Sequence, residues 1–224
     1  MEESPVLFYI GSFGVSSIII TMVVITILLV LLGYVISRRV SIVPGKLQNA
    51  MEMLLGSLQG LVSDMMGEKL GKRYFPLMAT LFIFIIVCNY SGLLPFAGEV
   101  PGFAAPTSSL SVTAGLAIIV FIATHYFGLK EHKFSYFKHF FKPIVFLFPI
   151  FLLDEFIRPV TLSLRLYGNI VGEETLIGKA FEAFPLILPL LPQMFALFMG
   201  FLQAFIFMLL TCVYIGGAAG EEEL

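Results

Sequence analysis

Long apolar segments separated by short charged ones dominate the first part of the chain. No charged residue lies between Glu3 and Arg38, and the apolar run over 13–37 is long enough for a membrane helix of about 20 residues. The segments 75–97 and 110–129 have the same character, and each has lysine or arginine at one end. The pattern therefore predicts three membrane helices here.

A different pattern fills the segment 44–70, where apolar residues recur at helical spacing with polar residues between them. The apolar positions are Leu47, Met51, Leu54, Leu55, Leu58, Leu61, Val62 and Met65. A helix with one apolar and one polar face is typical of a membrane surface, so we expect an amphipathic interfacial helix.

The last third is apolar but contains several charges. We expect one long helix over 143–178, which carries most of these charges, and another over 186–218, which carries none. A helix of about 30 residues is near 45 Å long and exceeds a hydrocarbon core of about 30 Å, so the two should tilt and pack as a hairpin. The predicted fold is an all-α membrane protein with about five membrane helices and one interfacial helix, in a single integral membrane domain over 1–224.

Composition agrees with this class, since 58% of the 224 residues are hydrophobic and only 12% are charged, against about 25% charged in soluble domains. The formal net charge of -2 and the lack of a nucleic-acid motif exclude nucleic acid as a partner. Basic residues follow the first and third membrane helices, at Arg38 and Lys130. By the positive-inside rule, the N-terminus lies outside and the C-terminus in the cytoplasm.

The charged residues of the fifth membrane helix fall mostly on one side. At 100° per residue, a stripe about 60° wide contains Asp154, Arg158, Arg165 and Asn169, with Glu155 and Glu173 at its edges and Glu174 on the opposite side. On the last helix, Gln203 and Tyr214 share a face. A charge inside a membrane costs roughly 2.5 to 3.5 kcal/mol and usually faces a protein interior or a watery cavity. Arg165 is therefore a candidate for ion passage, and the alternative is a structural ion pair with a neighbouring carboxylate.

Other functions are also compatible with buried charges. A secondary transporter would show inverted repeats and helices broken at corresponding places, which this sequence lacks. An intramembrane hydrolase would need catalytic groups that face one cavity, and the neighbours Asp154 and Glu155 are about 100° apart. His125, His132 and His139 recur every seven residues without a cysteine or acidic cluster, so we expect solvated or interfacial histidines, no metal site and no cofactor.

Three motifs resemble those of subunit a of bacterial-type F-type ATP synthases. Residues 161–174 read TLSLRLYGNIVGEE, residues 202–214 read LQAFIFMLLTCVY, and residues 89–95 read NYSGLLP. Because the order of the predicted helices also matches, the resemblance covers nearly the whole chain.

This resemblance implies a stator subunit in the membrane sector of a rotary ATP synthase, without a catalytic site of its own. The implied partners are a ring of rotor c subunits, peripheral-stalk b subunits, the remaining synthase subunits and the bilayer of a bacterial inner membrane. Two offset half-channels would carry H+, or Na+, to and from the ring carboxylates and couple this flow to ATP synthesis.

The resemblance also assigns expected roles to single residues. Arg165 is the arginine that faces the ring, and its guanidinium can attract a carboxylate without giving up a proton. The other candidates along the ion path are Asn89, Asp154, Glu155, Asn169, Glu173, Glu174, Gln203 and Tyr214. The chain departs from the family's pattern at Ser109 and Ser111, where many relatives carry Asp and Asn; these hydroxyls could line a water channel or help a helix to start.

Overall fold

The computed structural model describes residues 6–10, 13–38, 40–41, 44–94, 105–133, 148–185 and 187–220, and this part of the chain contains six α-helices. They are α1 Ser17–Arg38, α2 Lys46–Met66, α3 Glu68–Ser91, α4 Leu110–His132, α5 Phe148–Ala183 and α6 Leu190–Ala219. Two short antiparallel strands, β1 Val6–Ile10 and β2 Phe13–Ser16, precede α1, and a 3-10 turn, Pro106–Ser108, precedes α4. The predicted all-α membrane fold is confirmed. The ends of three predicted segments, 95–97, 143–147 and 186, lie outside the described residues.

Among the described residues, four helices, α1, α3, α4 and α6, are long and apolar enough to cross a membrane. α5 has 36 residues, a length of about 54 Å, and packs against α4 and α6. Its first part contacts His125 near the end of α4. Its last part lies beside Gly92, just past α3, and beside the 3-10 turn that precedes α4. We name the two ends of the bundle the Lys133 end and the Ser109 end, after the residues that flank α4, and α5 runs from the first to the second.

The chain enters α1 later than the predicted start at 13, because β2 covers Phe13–Ser16. A short apolar run has no period that separates strand from helix, so the sequence does not reveal this change. α1 buries Ser17, Thr21 and Ile25 and is otherwise largely exposed.

The predicted interfacial helix was expected to extend to residue 70, but it ends at Met66. A sharp turn at Gly67 separates it from the next membrane helix. Gly67 has a φ of 79°, a conformation that glycine adopts readily. α3 therefore begins at Glu68, and the basic residues Lys69, Lys72 and Arg73 lie inside its first turns. α2 packs against α3 and α6 and buries Leu58, Val62 and Met66, whereas Leu47, Leu54 and Met65 stay exposed.

The core lies where α3 and α6 pack along each other, with α2, α4 and α5 around them. Large side chains such as Met78, Ile85, Phe207 and Met208 are fully buried there. This packing fixes the faces of α5 and α6 that carry the polar residues.

Candidate functional site

Arg165 lies near the middle of α5, next to two leucines that pack into the core. Leu162 and Leu166 are buried, whereas the Arg165 side chain is exposed. Among the described residues, no carboxylate forms an ion pair with Arg165. A structural ion pair within this part of the chain therefore does not explain the arginine.

Arg158, nearer the Lys133 end, differs from Arg165 because two carboxylates lie beside it. Its Nη2 lies 2.7 Å from Oδ2 of Asp154, and its Nη1 lies 3.3 Å from Oε2 of Glu155. The other oxygen of Glu155 lies 3.7 Å from Nε2 of His125 on α4. The guanidinium carbon of Arg158 is 5.3 Å from the ring centre of Tyr214, a cation-π contact with α6. A cavity lined by Glu155, Arg158 and Tyr214 opens between α4, α5 and α6.

Amide side chains join the helices on the other side of Arg165. Nδ2 of Asn169 on α5 donates to Oε1 of Gln203 on α6 at 2.8 Å. About one turn away on α6, the carbonyl of Gly200 accepts a hydrogen bond of 2.9 Å from Nδ2 of Asn89 on α3. Gly200 permits this approach, because a Cβ there would lie 3.2 Å from Cε1 of Tyr90.

Glu174 lies at the Ser109 end of the bundle, away from the amide group. A Cβ at Gly92, just past α3, would lie 3.4 Å from Oε1 of Glu174. The residue as a whole is exposed on the surface of the chain.

Several buried polar atoms around this region have no hydrogen-bond partner among the described residues. They are Oδ1 of Asn89, Oγ1 of Thr107, Oε1 of Glu173 and Nε2 of Gln203. Buried polar groups are normally bonded to protein or to water. These atoms can therefore bind water, since the oxygens can accept a hydrogen bond and the amide nitrogen of Gln203 can donate one. They lie on α3, the 3-10 turn, α5 and α6.

The polar residues thus form two groups along α5, one toward each end of the bundle, with Arg165 between them. The chain is similar to known proteins over most of its length. Residues 17–216 match the family described as ATP synthase A chain.

The chain belongs to the ATP synthase A chain family.

Similarity to members of this family extends over most of the chain. It is 44% identical over 200 residues to ATP synthase subunit a 2 of Syntrophotalea carbinolica, which covers 88% of this chain and 82% of that protein. It is 40% identical over 219 residues to ATP synthase subunit a of Geobacter sulfurreducens, with coverage of 96% and 92%. For ATP synthase subunit a of Trichlorobacter lovleyi, the identity is 40% over 221 residues, with coverage of 97% and 93%.

As an ATP synthase A chain, the protein is an integral membrane subunit of ATP synthase, without a catalytic site of its own, in the sector that translocates ions. The motif 161–174 lies in α5 and the motif 202–214 in α6. The motif 89–95 covers the end of α3, and Pro95 lies outside the described residues.

The structure brings some of the predicted site residues together and keeps others apart. Asn169 contacts Gln203, while Asp154, Glu155 and Tyr214 all lie beside Arg158. Glu173 directly precedes Glu174 in α5, and the two carboxyl groups repel each other when both are ionised. Asn89 bonds to the backbone of Gly200 and not to another of the predicted residues.

One contact was missed by the sequence analysis. His125 was expected to be solvated or interfacial, but it is partly buried against Glu155 and the ring of Phe121. In the sequence, His125 lies in an apolar run, next to Thr124. Only this position indicated a packed environment.

The remaining histidines take other positions. Nε2 of His132 lies 2.8 Å from the carbonyl oxygen of Gly220 and links the ends of α4 and α6. His139 lies outside the described residues.

Proposed function

We propose that this chain is the stator subunit that translocates H+, or Na+, in a rotary F-type ATP synthase, with Arg165 as an electrostatic gate between two offset half-channels. The observation that supports the proposal most directly is the exposed guanidinium of Arg165, which has no carboxylate partner among the described residues. A charge at this depth is too costly to be left without a partner. We infer that the partner is a carboxylate of a neighbouring, moving subunit.

The two polar groups along α5 correspond to the two half-channels. We assign the external one to Asn89, Asn169, Glu173, Glu174 and Gln203, where buried polar atoms can hold water. We assign the cytoplasmic one to Asp154, Glu155 and Tyr214, beside the cavity at the Lys133 end. Ions would therefore have no continuous route past Arg165 except on the ring.

Arginine suits a gate because its guanidinium stays protonated under any physiological condition. It favours the ionised form of a passing ring carboxylate, so the carried ion leaves before that carboxylate moves on. Each elementary charge that crosses 100 mV releases about 2.3 kcal/mol, so several ions must pass for each ATP.

The assembly follows from the same proposal. The chain, as one integral membrane domain, would lie against a ring of c subunits and bind peripheral-stalk b subunits in a bacterial inner membrane. Its N-terminus would lie outside and its C-terminus in the cytoplasm.

The test is ATP-driven pumping by the complete synthase in inverted vesicles, with Arg165 intact or changed to Ala. Proton uptake is followed with a pH-sensitive dye, with and without added Na+, and ATP hydrolysis is measured in parallel. We expect Arg165→Ala to lower coupled pumping at least about tenfold, because one buried charge interaction is worth more than about 1.4 kcal/mol. The matched control is Lys179→Ala, which removes an exposed charge paired with Glu182 near the end of α5 and should leave pumping intact.

Unchanged pumping by the Arg165→Ala complex would contradict the gate. Purification of the native complex without a ring of small hairpin subunits would contradict the assignment to a rotary motor.

A further inference from the structure

We propose that His125 is a proton relay on the cytoplasmic half-channel, where its Nε2 exchanges a proton with water beside the carboxylate of Glu155. The inference rests on the proposed function, with H+ as the translocated ion, and it adds a residue of α4 to a path otherwise assigned to α5 and α6. His125 is partly buried and lies roughly 10 Å along the helix before the end of α4.

A hydrogen bond at Nδ1 determines which nitrogen of the His125 ring takes part in proton transfer. Nδ1 lies 2.9 Å from the carbonyl oxygen of Phe121, about one turn earlier on α4. A carbonyl oxygen can only accept, so Nδ1 carries a hydrogen in the neutral ring as well as in the charged one. Nε2 therefore has the lone pair of the neutral ring, and it is the nitrogen that gains and loses the proton.

Nε2 of His125 faces the carboxylate of Glu155 on α5. The distance from Nε2 to Oε1 is 3.7 Å, which suits an ion pair with the charged ring and exceeds a direct hydrogen bond. The other oxygen of Glu155 lies 3.3 Å from Nη1 of Arg158, so the carboxylate is oriented between two basic groups. Glu155 thus provides a counter-charge while a proton resides on the ring.

The imidazole of His125 lies at the edge of the cavity between α4, α5 and α6. Phe121, Thr124, Glu155 and Tyr214 line this cavity. The ring centre of Phe121 is 4.2 Å from that of His125, and 29% of the His125 side chain is exposed. Water can therefore reach the imidazole from the Lys133 end and from the cavity.

The other charged and titratable groups that the described residues place around His125 come from two helices. α5 contributes Glu155, Arg158 and Asp154, and α6 contributes Tyr214, whose ring lies against Arg158. Histidine is the side chain that ordinarily changes its charge near neutral pH, so His125 suits a relay in this group. Closer to the Lys133 end, the charged and phenolic groups of α3 and α4 contact one another: Arg73, Tyr74, Tyr126, Lys130 and Glu131.

The relay consists of two proton transfers at one nitrogen. During ATP-driven pumping, Nε2 of His125 accepts a proton from a hydronium ion on the cytoplasmic side, which leaves water. The imidazolium then gives this proton to water in the cavity, on the way to a ring carboxylate, and the neutral ring is restored. During ATP synthesis, the same two transfers run in reverse.

The experiment measures the initial rate of ATP-driven proton uptake by inverted vesicles with the complete synthase, in medium without Na+ at about pH 6 to about pH 8. We compare His125→Gln with the unchanged protein at each pH, per assembled complex. Glutamine can still donate to the carbonyl of Phe121 but carries no titratable proton. Hydronium becomes scarcer as the pH rises, so its diffusional arrival limits proton capture first at high pH.

We therefore expect His125→Gln to lower proton uptake about tenfold at the high-pH end and less than about twofold at the low-pH end. The matched control is His132→Gln on the same helix, because Nε2 of His132 lies 2.8 Å from the carbonyl oxygen of Gly220. It should keep the pH profile of the unchanged protein.

An unchanged rate of His125→Gln at high pH would overturn the inference. So would an equal loss at every pH, which indicates a structural role, or the same pH-dependent loss in His132→Gln. If His125→Gln does not assemble, His125→Asn must show the pH-dependent loss, since its amide is also uncharged. Arg165→Ala in the same preparation separates the two proposals. If it uncouples while His125→Gln keeps the unchanged profile, only this inference fails.

Discussion

Arg158 and Arg165 lie about two turns apart on α5 but in opposite electrostatic surroundings. The guanidinium group of Arg158 pairs with Asp154 and Glu155 and lies over the ring of Tyr214. Arg165 is exposed and has no carboxylate partner among the described residues. Arginine forms two directed hydrogen bonds with carboxylates and stacks on rings, which the compact charge of lysine does not reproduce. The two arginines should therefore respond differently to the same change.

We expect Arg158→Lys to destabilise the subunit by about 1 kcal/mol, since the ion pairs are partly exposed and such pairs are individually weak. Coupled pumping should persist. Arg165→Lys should leave the thermal unfolding of the purified complex nearly unchanged and abolish coupled pumping. The opposite pattern, with pumping lost in Arg158→Lys at unchanged stability, would show that the gate is Arg158 and not Arg165.

At the scale of single residues, a helical wheel was enough to group Arg165 with Asn169 and to separate Glu174 from them. The approach of Glu174 to Gly92 could not be predicted in this way. It depends on how the end of α3, the 3-10 turn and α5 pack together, which the spacing of residues along one helix does not determine.

At the scale of elements, the close packing of α2 on α3 depends on Gly71. A Cβ at this position would lie 2.7 Å from Cα of Ser63 and 2.9 Å from its Oγ, so the backbone of one helix must move. We expect Gly71→Ala to destabilise the protein by about 1 to 3 kcal/mol, the usual effect of overpacking.

Gly60→Ala in α2 is the control for this change, because nothing lies within 4 Å of a Cβ there. It should be neutral or stabilising by up to about 1 kcal/mol, since alanine favours a helix over glycine. Denaturant unfolding of both variants in detergent is the measurement. Equal stability of the two would show that α2 does not pack on α3 as described.

The membrane segments could be predicted from the sequence because long apolar runs have few other solutions. The boundary between α2 and α3 could not, since the amphipathic pattern continues through Leu70 and only the positive φ of Gly67 ends the helix. The strands before α1 were missed for a similar reason, because Phe13–Ser16 is too short to show a period.

At the scale of the whole molecule, the direction of α5 decides which polar group faces which side of the membrane. By length and composition, α5 is not among the four candidate spans of the described residues, because its charges lower its hydropathy. Its contacts with His125 at one end and with Gly92 and the 3-10 turn at the other nevertheless require it to run from one end of the bundle to the other. A charged helix can cross a membrane where its polar groups face protein or water.

Cysteine labelling can test this crossing, because Lys133, just after α4, and Glu182, near the end of α5, are exposed and lie at opposite ends of the bundle. With a membrane-impermeant maleimide, we expect Lys133→Cys to react only in inside-out vesicles and Glu182→Cys only in right-side-out vesicles. The unchanged protein is the control, since its own Cys88 and Cys212 are fully buried and should stay unlabelled. If both positions react from the same side, α5 does not cross, the N- and C-termini share a side, and the two polar groups cannot serve opposite faces of the membrane.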